Sequence, residues 1–139
     1  MIERTLLAAG SLSYVVLGTM HLVYTFYSSK FDPREASVKT GMEGTSPRLT
    51  GATTMWKAWV GFNASHSSGA IFFGVITMVF AVMYFEVFRD SWLFQSITII
   101  NSAFYVFLGK KYWFRIPYRG IQFSTSCYLI AIILINVKP

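Results

Sequence analysis

The chain has 139 residues, of which 54% are hydrophobic and 13% charged, whereas a soluble domain usually carries about 25% charged residues. This length accommodates one domain, and this composition excludes an ordinary soluble globular protein. The formal net charge of +6 does not indicate nucleic-acid binding, because the cations flank apolar segments, where membrane topology and anionic lipid account for them. The single cysteine, Cys127, excludes an intrachain disulfide.

Four apolar stretches predict four transmembrane helices, since a helix needs roughly 20 apolar residues to cross the hydrocarbon core. The first stretch is too long for a signal peptide, and no small-residue cleavage site follows it, so we expect it to be retained. The sequence predicts an all-α integral membrane protein, a four-transmembrane-helix bundle that forms a single domain over 1–139. The expected spans are about 5–27, 54–85, 92–109 and 121–137, with a partly helical cytoplasmic loop at about 28–53.

Lysine and arginine are distributed unequally between the two sides of the predicted bundle. Nine of them lie in or beside the segments 28–53 and 110–120, and the other three are Arg4, Arg89 and Lys138. The positive-inside rule therefore places both segments in the cytoplasm and both termini outside.

The first cytoplasmic segment contains helix signals of its own. Asp32-Pro33-Arg34-Glu35 is typical of a helix start with Asp32 as the N-cap, and Gly41 is a suitable end. Ser46-Pro47 resembles a second start. A structured connector and a lid over the inner mouth of the bundle both agree with these signals.

The second predicted helix carries a polar and aromatic stripe. Its members recur at steps of three and four residues, so they share one helix face: Trp56, Trp59, Asn63 and His66. Asparagine and histidine are costly inside hydrocarbon and usually face the bundle interior, where each must find a partner.

Small residues form a second stripe on roughly the opposite face of the same helix, at Gly61, Ser65 and Gly69. Such spacing lets another helix backbone approach closely. Together with Gly18 on the first helix, these residues are predicted to mediate helix packing, within the bundle or between the protomers of a homo-oligomer.

The first predicted helix supplies a second histidine, His21, with Tyr24 beside it. At the helical rise per residue, His21 lies roughly 7 Å and His66 roughly 4–5 Å to the cytoplasmic side of the membrane centre. The two histidines can therefore meet at one level, and Cys127 falls near that level on the last span.

Several interpretations of this constellation stay open. In one, a polar clamp fixes helix register in a structural or accessory subunit of a larger membrane assembly. In another, a small apolar or quinone-like molecule binds in a pocket with histidines that can also relay protons. The residues expected to line that pocket are His21, Tyr24, Trp56, Trp59, Asn63 and His66.

Metal chemistry is a weaker interpretation, so the cofactor stays undetermined. Haem between two histidines needs more room than adjacent helix axes, at about 8–10 Å, provide within one protomer. Zinc or copper would have His21, His66 and Cys127, whereas structural zinc takes four ligands. Since no G-x-S-x-G, H-E-x-x-H, P-loop or G-x-G-x-x-G motif is present, whether the protein is an enzyme also stays open.

The motifs G-x-x-H-L-x-Y-T at 18–25 and W-x-x-W-x-G-F-N-x-S-H-x-x-G at 56–69 resemble those of a group of small bacterial membrane proteins with four predicted helices. The resemblance covers chiefly the first half of the chain. It implies a bacterial cytoplasmic membrane protein in which the His21 and His66 regions form one site, and it implies no activity. In size the chain is also similar to DoxX-like membrane proteins, which is an analogy of fold alone.

Overall fold

The computed structural model describes residues 1–137, which contain six α-helices and no strand. Four of the helices are long and apolar enough to cross a membrane, which confirms the predicted all-α class and its four spans. Lys138, counted above among the outer cations, lies outside the described residues. The helices are α1 (Ile2–Tyr27), α2 (Ala36–Gly44), α3 (Met55–Val82), α4 (Phe85–Arg89), α5 (Trp92–Tyr112) and α6 (Arg115–Val137).

The long helices differ from the predicted spans mainly at their ends. α1 begins at Ile2, so Glu3 lies within its first turn, where its side chain is buried and paired with the N-terminal ammonium at 3.0 Å. α3 ends at Val82 rather than at Phe85, because the chain turns there and Phe85 starts α4. Ser91 caps α5, and its hydroxyl accepts a hydrogen bond from the Phe94 N–H at 3.4 Å.

The connection between α5 and α6 is much shorter than predicted. α5 continues to Tyr112, and Lys110 and Lys111 in its last turn complement the negative end of the helix. α6 begins at Arg115 rather than at Ile121. Pro117 lies in its first turn, which tolerates proline because those N–H groups need no helical acceptor.

The predicted helix starts in the first connector are wrong. α2 begins at Ala36, after an extended Glu35 that provides no side-chain cap, and it continues past Gly41 to Gly44. Asp32 therefore lies too far before α2 to cap it, and its carboxylate accepts a hydrogen bond from Lys39 at 2.9 Å. Residues 46–47 start no helix.

The residues group into two compact units. The first unit contains Met1–Leu17 and the chain from Ala70 onward, so it includes parts of all four long helices and forms a four-helix bundle. The second unit, Gly18–Gly69, contains the end of α1, the connector with α2, and the start of α3.

Hydroxyl groups connect three helices inside the first unit. The Ser11 hydroxyl of α1 donates to Thr77 of α3 at 2.8 Å, and the Tyr128 hydroxyl of α6 lies 2.9 Å from Thr77 and 3.3 Å from Ser11. All three side chains are buried. Because polar groups inside hydrocarbon need partners, this hydroxyl triad sets the register of α1, α3 and α6.

Two glycines let the same helices approach closely. A Cβ atom at Gly74 would lie 2.8 Å from the Ser11 carbonyl oxygen, and one at Gly10 would lie 2.8 Å from the Tyr128 ring. Close approach also allows the Ser124 hydroxyl to donate to the Gly10 carbonyl at 2.7 Å. Small residues thus permit the backbone contact that membrane helix packing uses.

Candidate functional site

All six side chains predicted to line a ligand pocket belong to the second unit. His21 and Tyr24 lie on the last turns of α1, and the other four lie on the first half of α3. The structure brings His21, Asn63 and His66 together, and we call these three residues the histidine cluster. All three side chains are partly buried.

A hydrogen bond between His21 and Asn63 forms the centre of the histidine cluster. Nε2 of His21 lies 2.9 Å from Oδ1 of Asn63. The Asn63 amide nitrogen donates to the Trp59 carbonyl at 2.8 Å, which identifies the amide oxygen as the atom that faces the histidine. Since an amide oxygen only accepts, Nε2 of His21 carries the proton, and Nδ1 of the neutral ring keeps a lone pair.

His66 lies beside His21 but takes no part in the His21–Asn63 bond. The two imidazole centroids are 5.4 Å apart, and the ring planes meet at 72°. The cluster therefore contains two neighbouring imidazoles, of which His21 joins α1 to α3 through Asn63.

Phe31 of the connector covers His21. The centroids of the two rings lie 4.3 Å apart, with an interplanar angle of 30°. The Phe31 carbonyl accepts a hydrogen bond from the Trp59 indole N–H at 3.1 Å, which fastens the connector to α3. Phe31 thus covers the His21 ring, and the bond from Trp59 connects this part of the connector to α3.

Tyr24 and Trp56 contact lysine side chains of the connector. Lys30 Nζ lies 3.7 Å from the Tyr24 ring centroid, and Lys39 Nζ lies 4.6 Å from that of Trp56. These are cation–π distances. The Asp32 carboxylate, which accepts a hydrogen bond from the Lys39 ammonium, raises the pKa of Lys39 above its usual value.

The predicted small-residue stripe is not used within the described chain. Gly61, Ser65 and Gly69 are exposed, and a Cβ atom at Gly61 would meet nothing within 4 Å. Gly61 therefore makes no close helix contact among the described residues, whereas Gly18 is buried. Contact of the stripe with a second protomer stays a prediction.

Cys127, the third candidate metal ligand, belongs to the first unit, where it is buried. Within residues 1–137, no group of three or more histidine, cysteine, aspartate or glutamate residues has the arrangement to hold a metal ion. Among these described residues, the two histidines thus have no third ligand of that kind.

Two features of the structure were missed at the level of sequence. Phe31 had a signal, because it is the one large apolar residue in the polar segment 28–37. The first unit also has a cavity of about 510 Å³ near the start of α1, which no motif indicates. Its lining residues are Met1, Glu3, Phe85, Arg89, Asp90, Ile135 and Asn136.

No protein-family model, curated protein or solved structure matches this chain. The function of the histidine cluster is therefore inferred from its own geometry.

Proposed function

We propose that this multi-pass membrane protein binds a small apolar or planar molecule at the histidine cluster. The observation that carries the proposal is the second imidazole. The His21 and His66 rings lie 5.4 Å apart, centroid to centroid, on one partly buried surface, and the bond to Asn63 orients the His21 ring. Sites for small molecules combine apolar walls with a few polar groups of this kind.

The surrounding side chains have distinct roles in this proposal. Nδ1 of His21 and the ring of His66 provide polar contacts, while Asn63 orients His21. Phe31 closes the site, and Trp59 holds Phe31 through its carbonyl.

The test is native mass spectrometry on protein extracted gently from its own membrane, with an absorption spectrum of the same sample. We expect a small-molecule adduct that is lost in His66→Phe and in the double variant His21→Phe/His66→Phe. Because His21 keeps its bond to Asn63 in His66→Phe, we expect this variant to fold, and circular dichroism checks it. Ser65→Ala, an exposed neighbour on α3, is the matched control and should keep the adduct.

A structural role is the second candidate, and the 2.9 Å His21–Asn63 bond favours it. In that case the cluster serves helix pairing in an accessory subunit of a larger membrane assembly. The parent protein would then carry no small-molecule adduct and would copurify with a partner protein. This pattern would contradict ligand binding.

The exposed stripe at Gly61, Ser65 and Gly69 supports a further proposal, that the protein forms homo-oligomers through α3. Leucine at Gly61 and Gly69 would prevent close helix approach. We expect Gly61→Leu/Gly69→Leu to reduce the particle mass measured by light scattering in detergent. An unchanged mass would exclude the stripe as the interface.

We also propose the orientation and location predicted from charge, with 28–53 and 110–120 in the cytoplasm of a bacterium. The nine cations beside these segments support it. Two variants test this orientation in intact cells. Each carries Cys127→Ala and one new cysteine, either Ser37→Cys or Glu86→Cys. An impermeant maleimide should label position 86 only, and labelling of position 37 alone would reverse the orientation.

A further inference from the structure

The connection between α5 and α6 concentrates positive charge at one end of the first unit. Four exposed cations lie between 110 and 119, and the sequence contains no acidic residue after Asp90. The ion pairs among the described residues involve none of the four. We call this set the basic hairpin: Lys110, Lys111, Arg115 and Arg119.

Two of these cations lie where the helix dipole disfavours positive charge. Lys110 and Lys111 end α5, where positive charge is favourable, but Arg115 and Arg119 lie in the first turns of α6, at the positive end of the helix dipole. The first turn of α6 contains no acidic residue. The positive potential of the basic hairpin is therefore not balanced by this part of the chain.

Tight packing holds the basic hairpin in shape. A Cβ atom at Gly109 would lie 3.0 Å from the Tyr118 ring, so α5 and α6 are in close contact there. The backbone N–H of Trp113 donates to the Gly109 carbonyl at 3.2 Å. The Trp113 ring lies edge to face with the Tyr105 ring, with their centroids 5.9 Å apart. The cations therefore stand on ordered backbone rather than on a long flexible loop.

The side chains between the cations favour a membrane partner over an aqueous one. Tyr112 is 65% exposed, Phe114 61% and Ile116 74%, so apolar and aromatic groups alternate with the cations at the ends of two spans. Aromatic residues at this level reside in the membrane interface. Arg115 and Arg119, one turn apart, can each hold phosphate oxygens in a bidentate manner.

We propose that the basic hairpin is a binding site for the phosphate groups of anionic phospholipids. The site takes lipids such as phosphatidylglycerol in preference to zwitterionic lipids with the same acyl chains. This proposal is independent of ligand binding at the histidine cluster, because the basic hairpin belongs to the first unit and the cluster to the second.

The experiment is native mass spectrometry of the purified, detergent-solubilised protein, titrated with phosphatidylglycerol and with phosphatidylethanolamine of identical chains. We expect phosphatidylglycerol to bind at least about fivefold more tightly than phosphatidylethanolamine, because a basic cluster attracts an anionic headgroup. The preference should disappear when all four cations of the basic hairpin are replaced by glutamine. It should also weaken at high salt, since exposed charges are screened.

A matched control removes the same charge elsewhere. Lys30→Gln/Arg34→Gln/Arg48→Gln/Lys57→Gln lowers the formal net charge as much, and this variant should keep the preference. An equal loss in both variants would overturn the proposal, because net charge alone would explain it. Equal binding of both lipids to the parent would overturn it as well.

Two further arms keep the test decisive. If circular dichroism shows that the variant with all four glutamines does not fold, Arg115→Gln/Arg119→Gln is tested in its place. This variant should also lose the preference for phosphatidylglycerol. Free glycerol phosphate should not displace the lipid at equal concentration. Displacement would assign the surface to a soluble phosphate compound and would overturn the lipid assignment.

Discussion

Nε2 of His21 and Oδ1 of Asn63 lie 2.9 Å apart, although the two residues are 42 positions apart in the chain. The bond satisfies a donor on α1 and an acceptor on α3 that would each be costly to leave unpaired in an apolar environment. Asn63 has a second hydrogen bond, to the carbonyl of Trp59, which fixes its amide orientation. These two bonds make Asn63 the residue on which the geometry of the histidine cluster depends.

Replacing Asn63 by leucine should lower the free energy of unfolding by about 0.6–2 kcal/mol, the usual range for interhelical hydrogen bonds in membranes. The loss arises because the N–H of His21 then has no acceptor at this position. Equilibrium unfolding in mixed micelles measures it. Ser65→Ala should have little effect, since the Ser65 hydroxyl donates only to Phe62 of its own helix. Equal stabilities of the parent and Asn63→Leu would show that the His21–Asn63 bond does not stabilise the pairing of α1 with α3.

Replacing Trp59 by phenylalanine should loosen the connector without unfolding α3. Phenylalanine keeps an aromatic ring but lacks the indole N–H that donates to the Phe31 carbonyl. We expect faster trypsin cleavage after Arg34 and Arg48 and faster amide exchange near Phe31. Trp92→Phe, at an exposed position at the start of α5, is the control and should leave cleavage unchanged.

Replacing Thr77 by valine should destabilise the first unit by about 1–2 kcal/mol, because Ser11 and Tyr128 each lose a buried partner. Valine preserves the shape of threonine, so packing changes little. Thr98→Val is the matched control, since the Thr98 hydroxyl is also buried but donates only to the Phe94 carbonyl of its own helix. Comparable losses in both variants would show that the hydroxyl triad has no special role.

Replacing Gly74 by alanine should cost about 1–3 kcal/mol, the range for overpacked interiors. The new methyl group would meet the Ser11 carbonyl at 2.8 Å, and a backbone atom has little freedom to move. Gly61→Ala, where no atom lies within 4 Å, should be neutral or slightly stabilising in dilute detergent. Thermal unfolding of both variants distinguishes a close helix contact from a general effect of helix propensity.

Replacing Asp32 by asparagine should lower the pKa of Lys39 towards its ordinary value, because the hydrogen bond to the Asp32 carboxylate is what raises it. The contribution of this pair is complete below the ordinary lysine pKa and disappears as the pH rises through the raised pKa of Lys39. An NMR titration of the labelled lysine side chains measures the shift. Asp90→Asn should leave the titration of Lys39 unchanged.

The spans and the proximity of His21 to His66 could be predicted, because each depends on one dominant quantity. Length and apolar composition decide whether a helix crosses the hydrocarbon, and the fixed helical rise decides which residues share a depth. The start of α6 at Arg115 could not be found in this way, since hydropathy measures the hydrocarbon crossing rather than the whole helix.

Two other features could not be predicted, because the local sequence does not show which side chain or helix a residue contacts. Asp32 has the sequence context of an N-cap, but α2 begins only at Ala36, and the Asp32 carboxylate accepts a hydrogen bond from Lys39. Gly61 and Gly74 are both glycines of α3, yet only Gly74 meets another helix of this chain. Spacing identifies a surface that permits close approach, and tertiary structure decides which surface is used.

The division into two units has a consequence for the order of assembly during synthesis. The contacts of the second unit lie within residues 18–69, so α1 and α3 can pair through His21 and Asn63 as soon as both have entered the membrane. The Ser124–Gly10 and Tyr128–Ser11 bonds connect residues 114 and 117 positions apart. The first unit can therefore be completed only after α6 has been synthesised, whereas the pairing of α1 with α3 through His21 and Asn63 needs no later helix.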